Sequence, residues 1–254
     1  MSEHILQPDK KHLRYIKSFV LRTGRMTKAQ INALNLFSSE YVIPFEEIKA
    51  ESQYIEKLSD LCSKIKKADG KIIVEIGFGI GNVTAMIAEK NINNIYIGIE
   101  VYKPGVGNLL KLIDEKKINN IRIINHDAVE VVDKLDIISK IDGFHIFFPD
   151  PWPKRKHIKR RIINTNFIQK ITDKLKAGGY IYAVTDWKDY GMQMQQVFRS
   201  FPSLYSPFEN FIPEYQEENK YANIIPWRAE TNFEKKGLKK NHGIYESFFI
   251  KNNS

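Results

Sequence analysis

The stretch Val74-Glu75-Ile76-Gly77-Phe78-Gly79-Ile80-Gly81-Asn82 decides the fold of this 254-residue chain. It completes a short apolar run, Lys71 to Ile76, and opens onto a helical pattern, Val83 to Lys90. Between a strand and a helix, glycines permit a tight turn and let backbone N–H groups approach a ligand closely. Downstream, apolar runs at Ile95 to Glu100, Ile121 to Asn125, Phe144 to Phe148 and Tyr180 to Val184 read as strands. They alternate with helical patterns at Val106 to Lys117, Ala128 to Leu135, Ile162 to Leu175 and Asp189 to Phe201. Strands alternating with helices of roughly 10 to 15 residues predict a parallel sheet covered on both faces, an α/β doubly wound fold. After Phe201 the alternation stops, and Ile244 to Ile250 reads as a last strand introduced by Asn241 and Gly243.

Upstream of the glycines, Ile48, Ile55, Leu58, Leu61, Cys62 and Ile65 recur at helical spacing after Pro44, and Ala68-Asp69-Gly70 ends that helix. Residues 1 to about 28 lack periodicity, and 1–40 is read as a basic N-terminal arm before a single domain, 41–254. No acidic residue lies between Asp9 and Glu40, whereas Lys10, Lys11, Arg14, Lys17, Arg22, Arg25 and Lys28 are basic. A second cluster holds Lys154, Arg155, Lys156, Lys159, Arg160 and Arg161, and a third Lys235, Lys236, Lys239 and Lys240. Such clustering within a net charge of +9 favours a polyanionic partner, since basic groups bind phosphates largely by releasing condensed counterions.

With 43% hydrophobic residues the chain can fill a core, yet no run of about 18 uncharged apolar residues occurs. The first 25 residues are broken by charge rather than organised as a signal peptide, so a cytoplasmic protein without a membrane partner is expected. A single cysteine, Cys62, excludes an internal disulfide and a Cys-rich metal site. The six histidines are scattered without ligand spacing, so no metal is expected.

A dinucleotide fingerprint, G-x-G-x-x-G, would need its third glycine at Asn82, and that match fails. The spacing G-x-G-x-G, with Glu75 two residues before Gly77, instead resembles the S-adenosylmethionine-binding motif of Rossmann-like methyltransferases. Glu100 closes the second strand, where an acid can accept both hydroxyls of a ribose. Asp127, just after the third strand, stands where such methyltransferases contact the adenine. Acids at three successive strand ends would line a crevice at the sheet's edge. Helix capping also fits Asp127 reasonably well. It explains Glu75 poorly, because a carboxylate inside an apolar strand needs a partner.

The fourth strand runs into Phe148-Pro149-Asp150-Pro151-Trp152-Pro153-Lys154, a loop stiffened by prolines that hold Asp150 in one place. It resembles the (Asp/Asn)-Pro-Pro-(Tyr/Phe) loop of amino-methyltransferases, with Trp152 standing where their second proline falls. Taken together, EIGFGIG from Glu75, FPDPWPKRKHIKRR from Phe148, Thr185-Asp186-Trp187, Thr231-Asn232-Phe233-Glu234 and Arg22 to Lys28 resemble the tRNA (guanine-N7)-methyltransferase family, bacterial single-subunit type. The resemblance runs from about Ser18 to Phe249.

It implies a Rossmann-like class I S-adenosylmethionine-dependent methyltransferase, its doubly wound, mostly parallel sheet ending in an antiparallel strand. It further implies transfer of the methyl group to N7 of a tRNA guanine, at position 46 of the variable loop. Glu75, Gly77, Glu100, Asp127 and Asp150 would then line the cofactor site, with Asp150 catalytic. Lys154, Asp186, Thr231, Asn232, Phe233 and Glu234 would hold the substrate nucleotide, although the family pattern has lysine where Asn232 stands. The cations from Lys154 to Arg161 would reach flanking phosphates, and Trp152, Trp187 and Phe233 are candidates to stack on the base. Competing readings are a methyltransferase for another RNA or protein acceptor, a dinucleotide oxidoreductase, and a non-catalytic binding module.

Overall fold

The computed structural model describes residues 16–21, 24–46, 58–59, 61–65, 69–135, 141–208 and 243–253. Thr231, Asn232, Phe233, Glu234 and the third basic cluster lie outside the described residues, as do Lys10, Lys11, Arg14 and Arg22. Strands β1 (Ile72–Ile76), β2 (Ile95–Ile99), β3 (Ile121–Ile124), β4 (Ile141–Phe147), β5 (Leu175–Thr185), β6 (Leu204–Tyr205) and β7 (Tyr245–Lys251) form one sheet. Helices α1 (Lys28–Tyr41), α2 (Asn82–Lys90), α3 (Lys103–Lys116), α4 (Ala128–Val132), α5 (Thr165–Lys174) and α6 (Lys188–Arg199) cover it, and Arg155–Arg160 is a 3-10 turn. Further helical residues, 45–46, 58–59 and 61–65, carry Leu58 and Cys62 into the core, where the periodicity put them.

Sheet order is β3-β2-β1-β4-β5-β7-β6. The first five strands are parallel, β7 is antiparallel to β5, and β6 is antiparallel to β7. The Ile- and Val-rich strands suit a sheet buried on both faces, because β-branched side chains pack well on a pleated surface. Ile72, Val74 and Ile76 face one apolar layer with α4, α5 and α6, while Ile73 faces the other with α2 and α3. Glu75 falls on the second face by the same alternation. The chain leaves β1 toward β2 and β3, then returns to place β4 on β1's other side. That reversal makes the carboxyl end of β1 the switch point, where open α/β sheets hold their ligands.

Strand β4 begins at Ile141 rather than Phe144, and three further elements depart from the sequence expectation. Helix α1 occupies residues assigned to the basic arm; Thr27 and Gln30 close a capping box at its start, and Ala33 is buried in the layer that includes α3. Strand β5 begins at Leu175 rather than Tyr180, through an irregular stretch with Gly178 at φ 72° before regular pairing of Tyr180 with Gly143. Strand β6 is two residues long, too short to leave a pattern. No described helix is long and apolar enough to cross a membrane.

Helix α3 is wedged against the glycine turn: a Cβ on Gly105 would lie 1.9 Å from the Gly79 carbonyl oxygen. Gly105→Ala is therefore expected to destabilise the protein by about 1–3 kcal/mol, the usual cost of overpacking. Urea unfolding measures it, and an unchanged midpoint would mean that α3 can back away from the turn.

Candidate active site

Three glycines build the turn after β1. Gly77 (φ 77°) and Gly79 (φ 61°) adopt left-handed conformations, and a Cβ on either would meet nothing within 4 Å. Their outer faces are thus open backbone at the switch point, which a ligand can approach. Gly77 N–H donates to the Ile99 carbonyl at 2.8 Å, and Asn108 Nδ2 donates to the Ile80 carbonyl at 2.6 Å, so β2 and α3 hold the turn from both sides.

Glu100 ties this turn to the end of β2. One carboxylate oxygen accepts from Gly79 N–H at 2.7 Å, and the other accepts from Val101 and Tyr102 N–H at 2.7 and 2.8 Å. Burial raises its pKa above the ordinary value, the three backbone donors pull it back, and the nearby Asp150 charge adds to the rise. Glu100 and Asp150, far apart in sequence, therefore share one electrostatic site. Asp127 is buried and caps α4 through Val129 N–H at 3.0 Å, so the capping role is realised at the edge of the same crevice.

Glu75 is the anomalous acid. It is buried in β1 opposite His145 of β4, and its Oε2 has no hydrogen-bond partner among the described residues. Burial pushes its pKa up to about 7; Thr84 partly offsets this, and Glu100 adds to it. His145 is held down to about 3 by burial, so a neutral imidazole faces it. A buried carboxyl with one unpartnered oxygen beside open glycine faces fits a ligand that brings a cation or hydrogen-bond donors.

The loop after β4 carries Asp150 between two strained residues: Phe148 (φ 49°) and Trp152 (φ 44°) are non-glycine residues in left-handed conformations. Such geometry persists only where neighbours hold it. Phe148 N–H donates to the Val184 carbonyl at 2.8 Å, Trp152 Nε1 to the Ser18 carbonyl at 2.9 Å, and Arg161 Nε to the Pro151 carbonyl at 2.8 Å. Asp150 and Asp186 follow adjacent strands, and both are half-buried.

Two expectations change here. Trp152 is buried under the Arg160 guanidinium, 3.6 Å from its ring centroid, and so presents no face to a base. Arg160 also donates to the Lys17 and Phe19 carbonyls, and Arg161 is buried, so these two cations point inward. Lys154, Arg155, Lys156 and Lys159 remain exposed beside the loop. His157 among them has its pKa lowered by desolvation and by the charges of Lys156, Arg160, Lys154 and Lys159. The docking of residues 17–19 on this loop has no signature in the amino-acid pattern, since carbonyl acceptors leave no side-chain trace.

This architecture, with acids at the carboxyl edge around a glycine turn, defines a class I Rossmann-like methyltransferase. A family model described as "Putative methyltransferase" matches residues 69–247. The tRNA (guanine-N(7)-)-methyltransferase of Ralstonia pickettii (strain 12J) is 40% identical over 94% of this chain and 86% of its own length. Its counterpart in Chromobacterium violaceum is 41% identical, over 93% of this chain and 96% of its own. The chain belongs to the tRNA (guanine-N7)-methyltransferase family. Among solved structures, the 16S rRNA methyltransferase KamB superposes with a TM-score of 0.52 at 9% identity, covering 74% of this chain and 92% of that one. The aminoglycoside resistance methyltransferase NpmB1 gives 0.51 at 14%, covering 78% and 93%. At such identities the likeness concerns the fold alone.

The Glu75 shift has a measurable sign. Its folded-state pKa of about 7 lies above the ordinary 4.5, so between those values the native state holds a proton that the unfolded state has lost. Stability then falls as pH rises through this window, by roughly 3 kcal/mol at about 1.4 kcal/mol per unit. Glu75→Gln should gain on wild type progressively from pH 4.5 to 7 in ligand-free urea melts. A difference independent of pH would contradict a buried carboxyl held above its ordinary pKa.

Proposed function

We propose that this protein transfers the methyl group of S-adenosylmethionine to N7 of the guanine at position 46 in the tRNA variable loop, acting in the cytoplasm. The observation that carries the reading is the open glycine turn flanked by the unpartnered Glu75 Oε2 and by Glu100, beside a strained loop presenting Asp150. Family membership supplies the acceptor.

Glu75, Gly77, Glu100, Asp127 and Asp150 would hold the cofactor. When bound, S-adenosylmethionine supplies an electrophilic methyl carbon, whose bond to sulfur breaks as the guanine N7 lone pair bonds to it. N7 carries no proton, so the site needs no strong general base. What its residues contribute is placement, which can be worth about 7–11 kcal/mol in favourable cases. Positive charge arises on the base, and the fixed carboxylates of Asp150 and Asp186 stabilise it as it develops. Glu234 would accept from the guanine Watson–Crick edge, N1–H and N2–H₂, a donor pair that adenine lacks; Thr231, Asn232 and Phe233 would complete that contact. Lys154 and its exposed neighbours Arg155, Lys156 and Lys159 would meet phosphates flanking the target, a contact that positions without reading sequence.

The reading is tested by incubating the protein with labelled S-adenosylmethionine and unmodified tRNA transcripts, then cleaving with borohydride and aniline. Scission at one variable-loop guanine is expected; methyl transfer without aniline-sensitive sites would return the acceptor to an amino group. Asp150→Ala should abolish turnover while leaving tRNA binding nearly intact in filter-binding assays, and loss of binding would remove Asp150 from its catalytic role. Glu234→Gln should lower the preference for guanine over adenine, and an unchanged preference would dismiss that contact.

A further inference from the structure

Arg161 stands out among the basic residues after the Asp150 loop because it is buried although charged. Its Nε–H donates to the Pro151 carbonyl at 2.8 Å, and its Nη1 donates to Gln193 Oε1 at 2.6 Å. Its guanidinium lies 4.7 Å from the Tyr190 ring centroid. Pro151 is the residue between Asp150 and the strained Trp152, while Tyr190 and Gln193 lie on α6, the helix that begins just beyond Asp186. The α6 side of this contact is fixed in turn: Gln193 Nε2 donates to the Ile163 carbonyl at 3.2 Å, and Ile163 N–H donates to the Tyr190 hydroxyl at 3.1 Å.

None of these partners is a carboxylate. The Asp189 carboxylate at the start of α6 is near enough to favour the charged guanidinium, but it takes none of these hydrogen bonds; the direction of the planar fork is set by the carbonyl and the amide oxygen, two acceptors at a fixed angle. The same commitment leaves it unable to lie on an RNA phosphate, the role its place in a basic run suggests.

We propose that Arg161 is a positioning residue for methyl transfer, a strut that holds the Asp150 loop at a fixed separation from the helix following Asp186. The proposal rests on the reading that both carboxylates flank the target guanine. With the strut in place, Pro151 cannot rotate to relax the left-handed Trp152, and Asp150 keeps its direction. Without it, the loop relaxes, and the two acids lose their common alignment on the base.

The test compares methyl transfer to a tRNA transcript by wild type, R161K, R161A, Q193L and K156A over a range of salt concentrations. R161A and R161K should lower kcat by roughly 10- to 100-fold, R161K the less, because small misplacements cost that much, with KM for tRNA and its salt slope unchanged. Q193L keeps the arginine but removes its support from α6; it should lower kcat in the same sense and serves if R161A fails to fold. K156A removes an exposed cation of the same run and should raise KM for tRNA while flattening the salt slope by about one unit. If R161K behaves like K156A, with kcat intact, the strut is overturned.

A readout independent of turnover separates this proposal from the reaction it rests on. Trp152 is buried, and in a W187F/W227F background it is the only tryptophan left. R161K should increase its quenching by acrylamide. Unaltered quenching would overturn the strut. Increased quenching in a protein whose wild type makes no 7-methylguanine would keep the strut and overturn the proposed reaction.

Discussion

The Glu100 carboxylate, folded onto the backbone N–H groups of Gly79, Val101 and Tyr102, is the interaction on which the rest of the site depends. Charge-assisted bonds to backbone donors are among the stronger ones a protein makes, and here they lock a glycine turn to the end of the neighbouring strand. The turn would otherwise be weakly constrained, because each glycine that permits its shape also permits others. Glu100 removes that freedom from one side, while Gly105, packed on the Gly79 carbonyl, removes it from the other.

Around that fixed turn the site is left incomplete in one respect. Glu75 is buried with an unpartnered oxygen and a pKa pushed up to about 7. A carboxyl in that state costs stability, and perturbed acids of this kind gather where ligands bind. A cationic or donor-rich ligand would complete it, which links the cost in the free protein to affinity in the complex. The Asp150 loop follows the same logic: its left-handed residues persist because Val184, Ser18 and Arg161 hold the flanking backbone.

Much of this was legible in the sequence, for identifiable reasons. Parallel strands buried on both faces leave continuous apolar runs, so β1 to β3 appear where Lys71 to Ile76, Ile95 to Glu100 and Ile121 to Asn125 were read. Acids at strand ends inherit their places from those runs, so Glu75, Glu100 and Asp127 fall at the carboxyl edge of the sheet as the runs imply, whereas their roles toward a cofactor are implied by the family resemblance. Helix α1 was hidden by its basic surroundings, although Thr27 and Gln30 spelled a capping box. The irregular start of β5 depends on where Gly143 and Tyr180 pair, which no local pattern records. Arg160 and Arg161 looked like exposed cations because their partners, Trp152, Pro151, Tyr190 and the carbonyls of residues 17–19, come together only through tertiary structure.

The central claim is that this crevice is an S-adenosylmethionine site organised by Glu100. Isothermal titration of the purified protein with S-adenosylhomocysteine, and separately with NADH, tests it most directly. The account predicts one saturable site for S-adenosylhomocysteine, abolished by Glu100→Ala, and no heat with NADH. Saturable binding of NADH, or S-adenosylhomocysteine affinity indifferent to the loss of Glu100, would contradict it.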